Sequence, residues 1–253
     1  MRAAMPNAEF APAVTPVDQL EPTLARRGYA VLDAAGSAAL ARIEPSDLTA
    51  LGSDWDGLEA DRYLKDGGSY RARRHGSWVV DDAGLPRLVP QRAHWQPLEY
   101  NALHGGMRRW FAPHAPRFAA APAVHALLAA LAGLARRLDG EAGPRYVETH
   151  QFRIDAGQGI GRPTPEGAHR DGVDWVAVLL MARRGIKGGE TRVFEAAGRS
   201  GERFTLGEPG SMLLLDDARV IHETTPIQPL REDQPAYRDT LVVTLRRGGF
   251  LGD

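Results

Sequence analysis

Apolar positions recur at two different periods along this chain, and the change falls near residue 144. Before it the clearest pattern is helical: Val124, Leu127, Leu128, Leu131, Leu134 and Leu138 share one face. Pro122 suits the first turn of that helix, Arg136 and Arg137 suit the last, and Gly140 stops it, so a helix is predicted over 122–139. Residues 17–27 are weakly helical despite Pro22, and Gly28 ends them ahead of a short strand at 29–32. Two short helical pieces, 37–43 and 46–51, are divided by Pro45, with Ser37 and Ser46 as N-cap candidates. Residues 70–80 read as a basic strand after a turn at Asp66-Gly67-Gly68, whereas 81–118 is rich in proline and turn formers. Beyond Gly143-Pro144 the period falls to two, predicting strands at 145–154, 174–182, 189–195, 202–206, 211–216, 219–224 and 238–246.

Many short strands behind a helical first half argue for an α+β, mainly β protein. The expected architecture is a double-stranded β-helix, jelly-roll or cupin-like, with helices packed outside. No repeat or linker divides the chain, so 1–253 is expected to be a single domain, with 1–16 a loose N-terminal arm and 145–246 the core that carries the site. The connection over 155–167 is long for a compact domain and reads as a binding loop or lid.

Composition narrows the partners. A net charge of -1 offers no basic field for nucleic acid or an anionic membrane. The first residues lack the apolar run of a signal peptide, and 119–135, broken by Pro122 and His125, is too short to cross a bilayer. The absence of cysteine excludes disulfides, thiolate zinc sites and iron–sulfur clusters, fits a cytoplasmic protein, and leaves histidine and carboxylate as metal ligands.

His169 and Asp171 are two apart, and in extended backbone i and i+2 project to one face. His222, behind the apolar run 213–215, offers a third ligand. Two histidines and one carboxylate on one side of a metal leave the other side open, the arrangement by which non-haem iron(II) admits a cosubstrate and dioxygen. His94, His104 and His114 have no ligand-spaced neighbour and read as surface or packing residues.

The order His169-x-Asp171, His222 and Arg238, with Pro-Gly-Ser-Met-Leu-Leu-Leu-Asp-Asp (209–217) before the second histidine, resembles the iron(II)- and 2-oxoglutarate-dependent dioxygenases. Thr-His-Gln-Phe-Arg (149–153), Glu-Gly-Ala-His-Arg-Asp-Gly-Val-Asp (166–174), Gly-Gly-Glu-Thr (188–191) and Tyr-Arg-Asp-Thr-Leu-Val-Val-Thr (237–244) resemble the bacterial branch that hydroxylates free L-amino acids, such as isoleucine and pipecolic acid hydroxylases. The likeness runs from about 146 to 246 and more loosely back to 70–74. It implies iron(II) held by His169, Asp171 and His222, with 2-oxoglutarate decarboxylated to succinate while dioxygen hydroxylates the substrate. The retained carboxylate at Asp171 points to hydroxylation rather than halogenation.

On that reading Arg238 receives the far carboxylate of 2-oxoglutarate bidentately, Thr240 on the same strand face adds a hydrogen bond, and Arg246 is the fallback. Gln151 and Arg153 share a strand face, Asp174 and Trp175 follow the ligand pair, and Thr225 follows His222, so these are the substrate candidates. Arg71, Arg73 and Arg74 read as a solvated edge from which one, Arg73, could turn inward to a substrate carboxylate. Glu223, Asp216 or Asp217 could orient the ligand histidines. The expected partners are a free amino acid with an aliphatic or cyclic side chain and dioxygen, and homo-oligomerisation stays open. The alternatives are a dioxygenase acting on a peptide or larger metabolite, and a non-catalytic cupin-like metal-binding or sensor protein.

Overall fold

Alternating burial along ten-residue strands organises the molecule, whose computed structural model describes residues 10–101 and 103–252. The helices are α1 (Leu20–Arg27), α2 (Ala34–Ala41), α3 (Pro45–Ala50), α4 (Pro116–Ala119) and α5 (Pro122–Asp139). The strands of the first half are β1 (Tyr29–Leu32), β2 (Arg71–Val80) and β3 (Pro86–Leu88). Those of the second half are β4 (Arg145–Asp155), β5 (Trp175–Arg184), β6 (Ile186–Gly188), β7 (Thr191–Glu195), β8 (Gly201–Phe204), β9 (Met212–Asp216), β10 (Val220–Thr224), β11 (Ile227–Pro229) and β12 (Tyr237–Arg246). Seven strands form an antiparallel sheet in the order β1-β9-β5-β12-β4-β2-β3, and a smaller sheet follows the order β10-β7-β8. A two-stranded ladder, β11-β6, adds a third. This is the double-stranded β-helix with helices outside that the strand pattern predicts.

Each face of the large sheet has its own core. On β5 and β12, Ala177, Leu179, Leu241, Val243 and Leu245 point outward and bury against α1, α2, α3 and α5. The stripe Val124, Leu127, Leu128, Leu131 and Leu134 of α5 lies fully against them, each large side chain contributing about 1.5–3 kcal/mol by leaving water. The inward residues Val176, Leu180, Leu213 and Leu215 meet Val193, Phe204 and Val220 of the small sheet. That apolar filling covers only part of the interior. The inward positions of β2, β4 and β12 are Arg71, Arg73, His75, Glu148, His150, Arg238 and Thr240, buried polar groups whose solvation must be replaced by partners or a ligand.

Several local expectations shift. The N-cap of α2 is Asp33, which accepts from Gly36 N at 2.7 Å, while Ser37 lies inside the helix and donates to Asp33 O. Glu44 caps α3 in a reciprocal box with Asp47, and Pro45 takes the first helical position ahead of Ser46. Strands β3, β6 and β11 have three residues each, too few for a period to register. Residues 1–9 of the expected loose arm lie outside the described residues. From residue 10 the chain is tied down: Phe10 O accepts from Thr205 N, and Thr15 N donates to Val31 O, both at 2.7 Å. Among the described residues no helix is long and apolar enough to cross a membrane.

Candidate active site

Backbone pairing brings the two motif histidines together. His169, in the connection between β4 and β5, exchanges both N–H···O bonds with His222 on β10 at 3.0 Å, which sets the rings 4.7 Å apart. Asp171 follows with its oxygens 3.8 Å from His169 Nε2 and 3.8 Å from His222 Nε2. The three ligand atoms lie within 4.8 Å of one another, close enough to converge on one ion. His169 Nδ1 donates to Gly167 O at 2.9 Å, which leaves the Nε2 lone pair for a metal. His222 Nδ1 is buried without a partner.

Of the expected orienting groups, none of Glu223, Asp216 and Asp217 is hydrogen-bonded to these rings. Asp217 instead accepts from the backbone N–H groups of Asp171, Gly172 and Val173 at 2.9, 2.8 and 3.1 Å and so shapes the ligand loop. Glu223 pairs with Arg192, and Asp216 caps Ala218. Gln96 donates to Asp171 Oδ1 at 3.2 Å and accepts from Arg109 Nη2 and Asn101 Nδ2 at 2.9 and 3.1 Å.

The electrostatics of the trio call for a cation. Burial, opposed by His169, pushes the Asp171 carboxyl up to about 6. Burial works against a charged His169, but Asp171 and Glu166 hold its pKa above the usual value. Burial and the neighbouring His169 keep His222 well below it. Two nitrogens and one carboxylate, unsaturated on the cavity side, fit iron(II) in hardness and number.

The trio opens on a cavity of about 120 Å³ between the sheets. Arg238 and Thr240 line it from β12, and Glu148, His150, Phe152 and Ile154 from β4. Arg238 is buried and forms no salt bridge among the described residues; burial and Arg183 lower its pKa to about 10, so it stays charged at neutral pH. A buried guanidinium fork with Thr240 beside it suits a carboxylate. Arg246, the fallback, does not line the cavity and donates to Gly249 O.

Of the substrate candidates, only Arg73 reaches the cavity. Gln151 and Arg153 occupy the opposite face of β4, where Gln151 holds His114 and Arg153 forms a fork to Asp239 at 2.8 and 2.7 Å. Asp174 binds Arg247, Trp175 Nε1 donates to Asp139, and Thr225 Oγ1 accepts from Glu190 N. The physical reason is parity. Both faces of 145–155 carry polar residues, so alternation alone does not tell which one faces inward.

Sequence reasoning passed over the residues of the segment that closes this side: His94, Gln96, Asn101, His104 and Arg109. His94 and His104 are buried cavity residues, His114 is buried beneath the sheet, and Arg71 and Arg73 are buried rather than a solvated edge. No spacing in 81–118 distinguishes them. Glu148 takes His75 Nε2 at 2.9 Å and His94 Nδ1 at 3.3 Å, and with His150 these four form a second group within metal-ligand reach. Charge separates the two groups. Arg73 lies 2.6 Å from His150 Nδ1 and is sandwiched between Phe111 and Phe152 at 3.7 and 4.4 Å, so a dication there would face a guanidinium. Among the described residues no guanidinium is hydrogen-bonded to the side chains of the trio.

Residues 52–244 match the model of the 2OG-Fe dioxygenase family. Among solved structures, a bsmA homolog from Methylobium petroleophilum PM1 is 48% identical, with 96% of this chain and 97% of that one covered and a TM-score of 0.89. IDO from Bacillus thuringiensis is 20% identical over 92% of this chain and 100% of its own, with a TM-score of 0.74. The Fe(II)/α-ketoglutarate-dependent dioxygenase TqaL is 17% identical, over 93% and 88%, with a TM-score of 0.65. The last two share the fold alone at that identity. No curated protein matches the chain.

Proposed function

We propose that this chain, which belongs to the 2OG-Fe dioxygenase family, hydroxylates a free L-amino acid with an aliphatic or cyclic side chain. Family membership makes it an iron(II)- and 2-oxoglutarate-dependent oxygenase and removes the non-catalytic sensor from consideration. Iron(II), 2-oxoglutarate and dioxygen together supply an oxidant strong enough for a C–H bond, with succinate and carbon dioxide as co-products.

In this reading His169, Asp171 and His222 hold the metal, and Arg238 with Thr240 fixes the far carboxylate of 2-oxoglutarate. The observation that carries the substrate assignment is a small cavity with groups of opposite charge in its lining. Glu166 and a guanidinium wall that includes Arg73 both line it beside the trio. An amino acid held at both its carboxylate and its ammonium presents its side chain as the part left to meet the oxidant. Phe152, Val178 and Val242 provide apolar surface for that side chain.

The test is a panel of the proteinogenic amino acids with pipecolic acid, scored for succinate release coupled to a product heavier by one oxygen. Coupled turnover of one or a few is expected. Uncoupled background with every free amino acid, together with hydroxylation of a peptide or larger metabolite, would replace this substrate class.

A further inference from the structure

One wall of the cavity carries more hydrogen-bond donors than the described residues supply acceptors for. Arg71, Arg73 and Arg109 are each at most 5% exposed. Asp61 takes Arg71 Nε at 2.7 Å, His150 takes Arg73 Nη2, and Gln96 takes Arg109 Nη2. Each guanidinium has five N–H bonds, so these acceptors leave most of them unmet. Arg71 Nη2, Arg73 Nε, Arg109 Nε and His104 Nε2 are buried without a hydrogen-bond partner among the described residues. Glu148 does not relieve them, since both its oxygens are engaged by His75 and His94. On the acceptor side, Glu166 Oε2 is buried and unpartnered.

Arg73 is less available: it lies over the Phe111 and Phe152 rings and its Nη2 is on His150, although its Nε too lacks a partner. Arg71 and Arg109 keep unmet donors on groups that line the cavity, and His104 lines it with them. Arg109 also sits two hydrogen bonds from the metal trio, through Gln96 to Asp171 Oδ1. A group held there is therefore next to the reacting centre.

We propose that Arg71 and Arg109, with His104 beside them, form a receptor for the carboxylate of the organic substrate, separate from Arg238, and that Glu166 takes its ammonium. The assignment rests on the amino-acid reading above and replaces Arg73 as the receiving arginine. A carboxylate would accept from both guanidiniums and supply the acceptors the wall lacks; burial and the neighbouring Arg71 lower the pKa of Arg109 to about 10, so it stays charged to receive it. Charge on this wall then closes: Asp61, Glu148 and Glu166 balance Arg71, Arg73 and Arg109, and the zwitterion adds none.

The test is ligand binding, read from the visible band of the anaerobic enzyme loaded with iron(II) and 2-oxoglutarate. The probes are L-isoleucine, L-isoleucinamide and 3-methylpentanoate, which carry both charges, the ammonium alone and the carboxylate alone. The native enzyme should bind both carboxylates and bind the amide roughly 10- to 100-fold more weakly than the acid. Arg109→Gln should lose about that factor for both carboxylates while leaving the amide and 2-oxoglutarate unchanged. Arg109→Lys, which keeps the charge and loses the fork, should recover only part, and it carries the test if the glutamine variant does not fold. Glu166→Gln should weaken L-isoleucine and spare 3-methylpentanoate. An Arg109→Gln enzyme that still prefers acid over amide, or one that loses 2-oxoglutarate instead, overturns the receptor, as does a native enzyme that binds neither carboxylate. If 3-methylpentanoate binds through Arg109 but no amino acid does, the receptor stands and the amino-acid reading falls.

Discussion

Asp171 shows how much of this chemistry is set one residue at a time. Its half-buried carboxylate lies 3.8 Å from each of two imidazole nitrogens and accepts from the Gln96 amide. A metal ion would turn this poorly solvated group into a neutralised one. Each partner is then needed for the same ion, so His222→Ala is expected to abolish iron binding in calorimetric titration of a folded protein. Retained binding and turnover would refute the trio. Arg238 makes the complementary prediction, because a buried fork without a protein anion is suited to receive one from a ligand. Arg238→Gln should raise the apparent Kd of 2-oxoglutarate roughly 10- to 100-fold, and lysine, a point charge, should restore little of it. An unchanged Kd would move the anchor to another cavity arginine, with Arg109 first in line.

At the scale of elements, the ligand loop is held by one carboxylate from the turn between β9 and β10. Asp217 accepts three successive backbone N–H groups, those of Asp171, Gly172 and Val173. Asp217→Asn replaces one acceptor oxygen by an N–H that faces other donors. Metal affinity should fall about 10- to 100-fold while the far-ultraviolet circular dichroism is kept; an unaltered affinity would show the loop to be held by the His169–His222 pairing alone. The elements themselves were legible where one period was sustained. The α5 stripe gave both ends of its helix, and the alternation Leu241, Val243, Leu245 gave β12. The convergence of the trio was legible because His-x-Asp puts two side chains on one face by local geometry and the strand before His222 brings in the third. The substrate wall was not: it is assembled by the pairing of β2 with β4 and by an irregular segment around Gln96 and Arg109, contacts distant in sequence that no local period encodes. On β4, where both faces are polar, the reading by alternation selected Gln151 and Arg153 when the cavity takes His150 and Phe152.

The whole molecule buries an unusual share of its titratable groups between and beneath the sheets, and this has a consequence for its behaviour in acid. Burial pushes His94 down to about 4 in spite of Glu148, and pushes His114 down to about 4 in spite of its hydrogen bond to Gln151. His150 and His222 are lowered in the same direction. Between pH 6.5 and 4 the unfolded chain therefore binds protons at these positions that the folded chain refuses. Stability is complete above pH 6.5 and is lost as pH falls through the window, by up to about 1.4 kcal/mol per pH unit for each such histidine. Asp171 works in the opposite sense, since a carboxyl raised to about 6 stabilises the fold at low pH and loses that contribution as pH rises. His169, Asp216, Asp217 and Asp239 are raised in the same sense as Asp171, while His104 joins the lowered histidines. Those five histidines, two of them down to about 4, set the sign of the net slope across this window. The melting temperature of the metal-free protein, followed by calorimetry from pH 7.5 to 4.5, should be flat at the upper end and fall steeply below about pH 6. His114 lies outside the cavity, held between Gln151 and Thr149, which makes it the cleanest single contributor to remove. His114→Gln should lower the melting temperature at pH 7.5 through the lost contacts, yet fall less between pH 6.5 and 4.5 than the native chain. A native profile without any fall over that range, or a variant whose slope matches it, would mean that these histidines do not stay neutral in the fold.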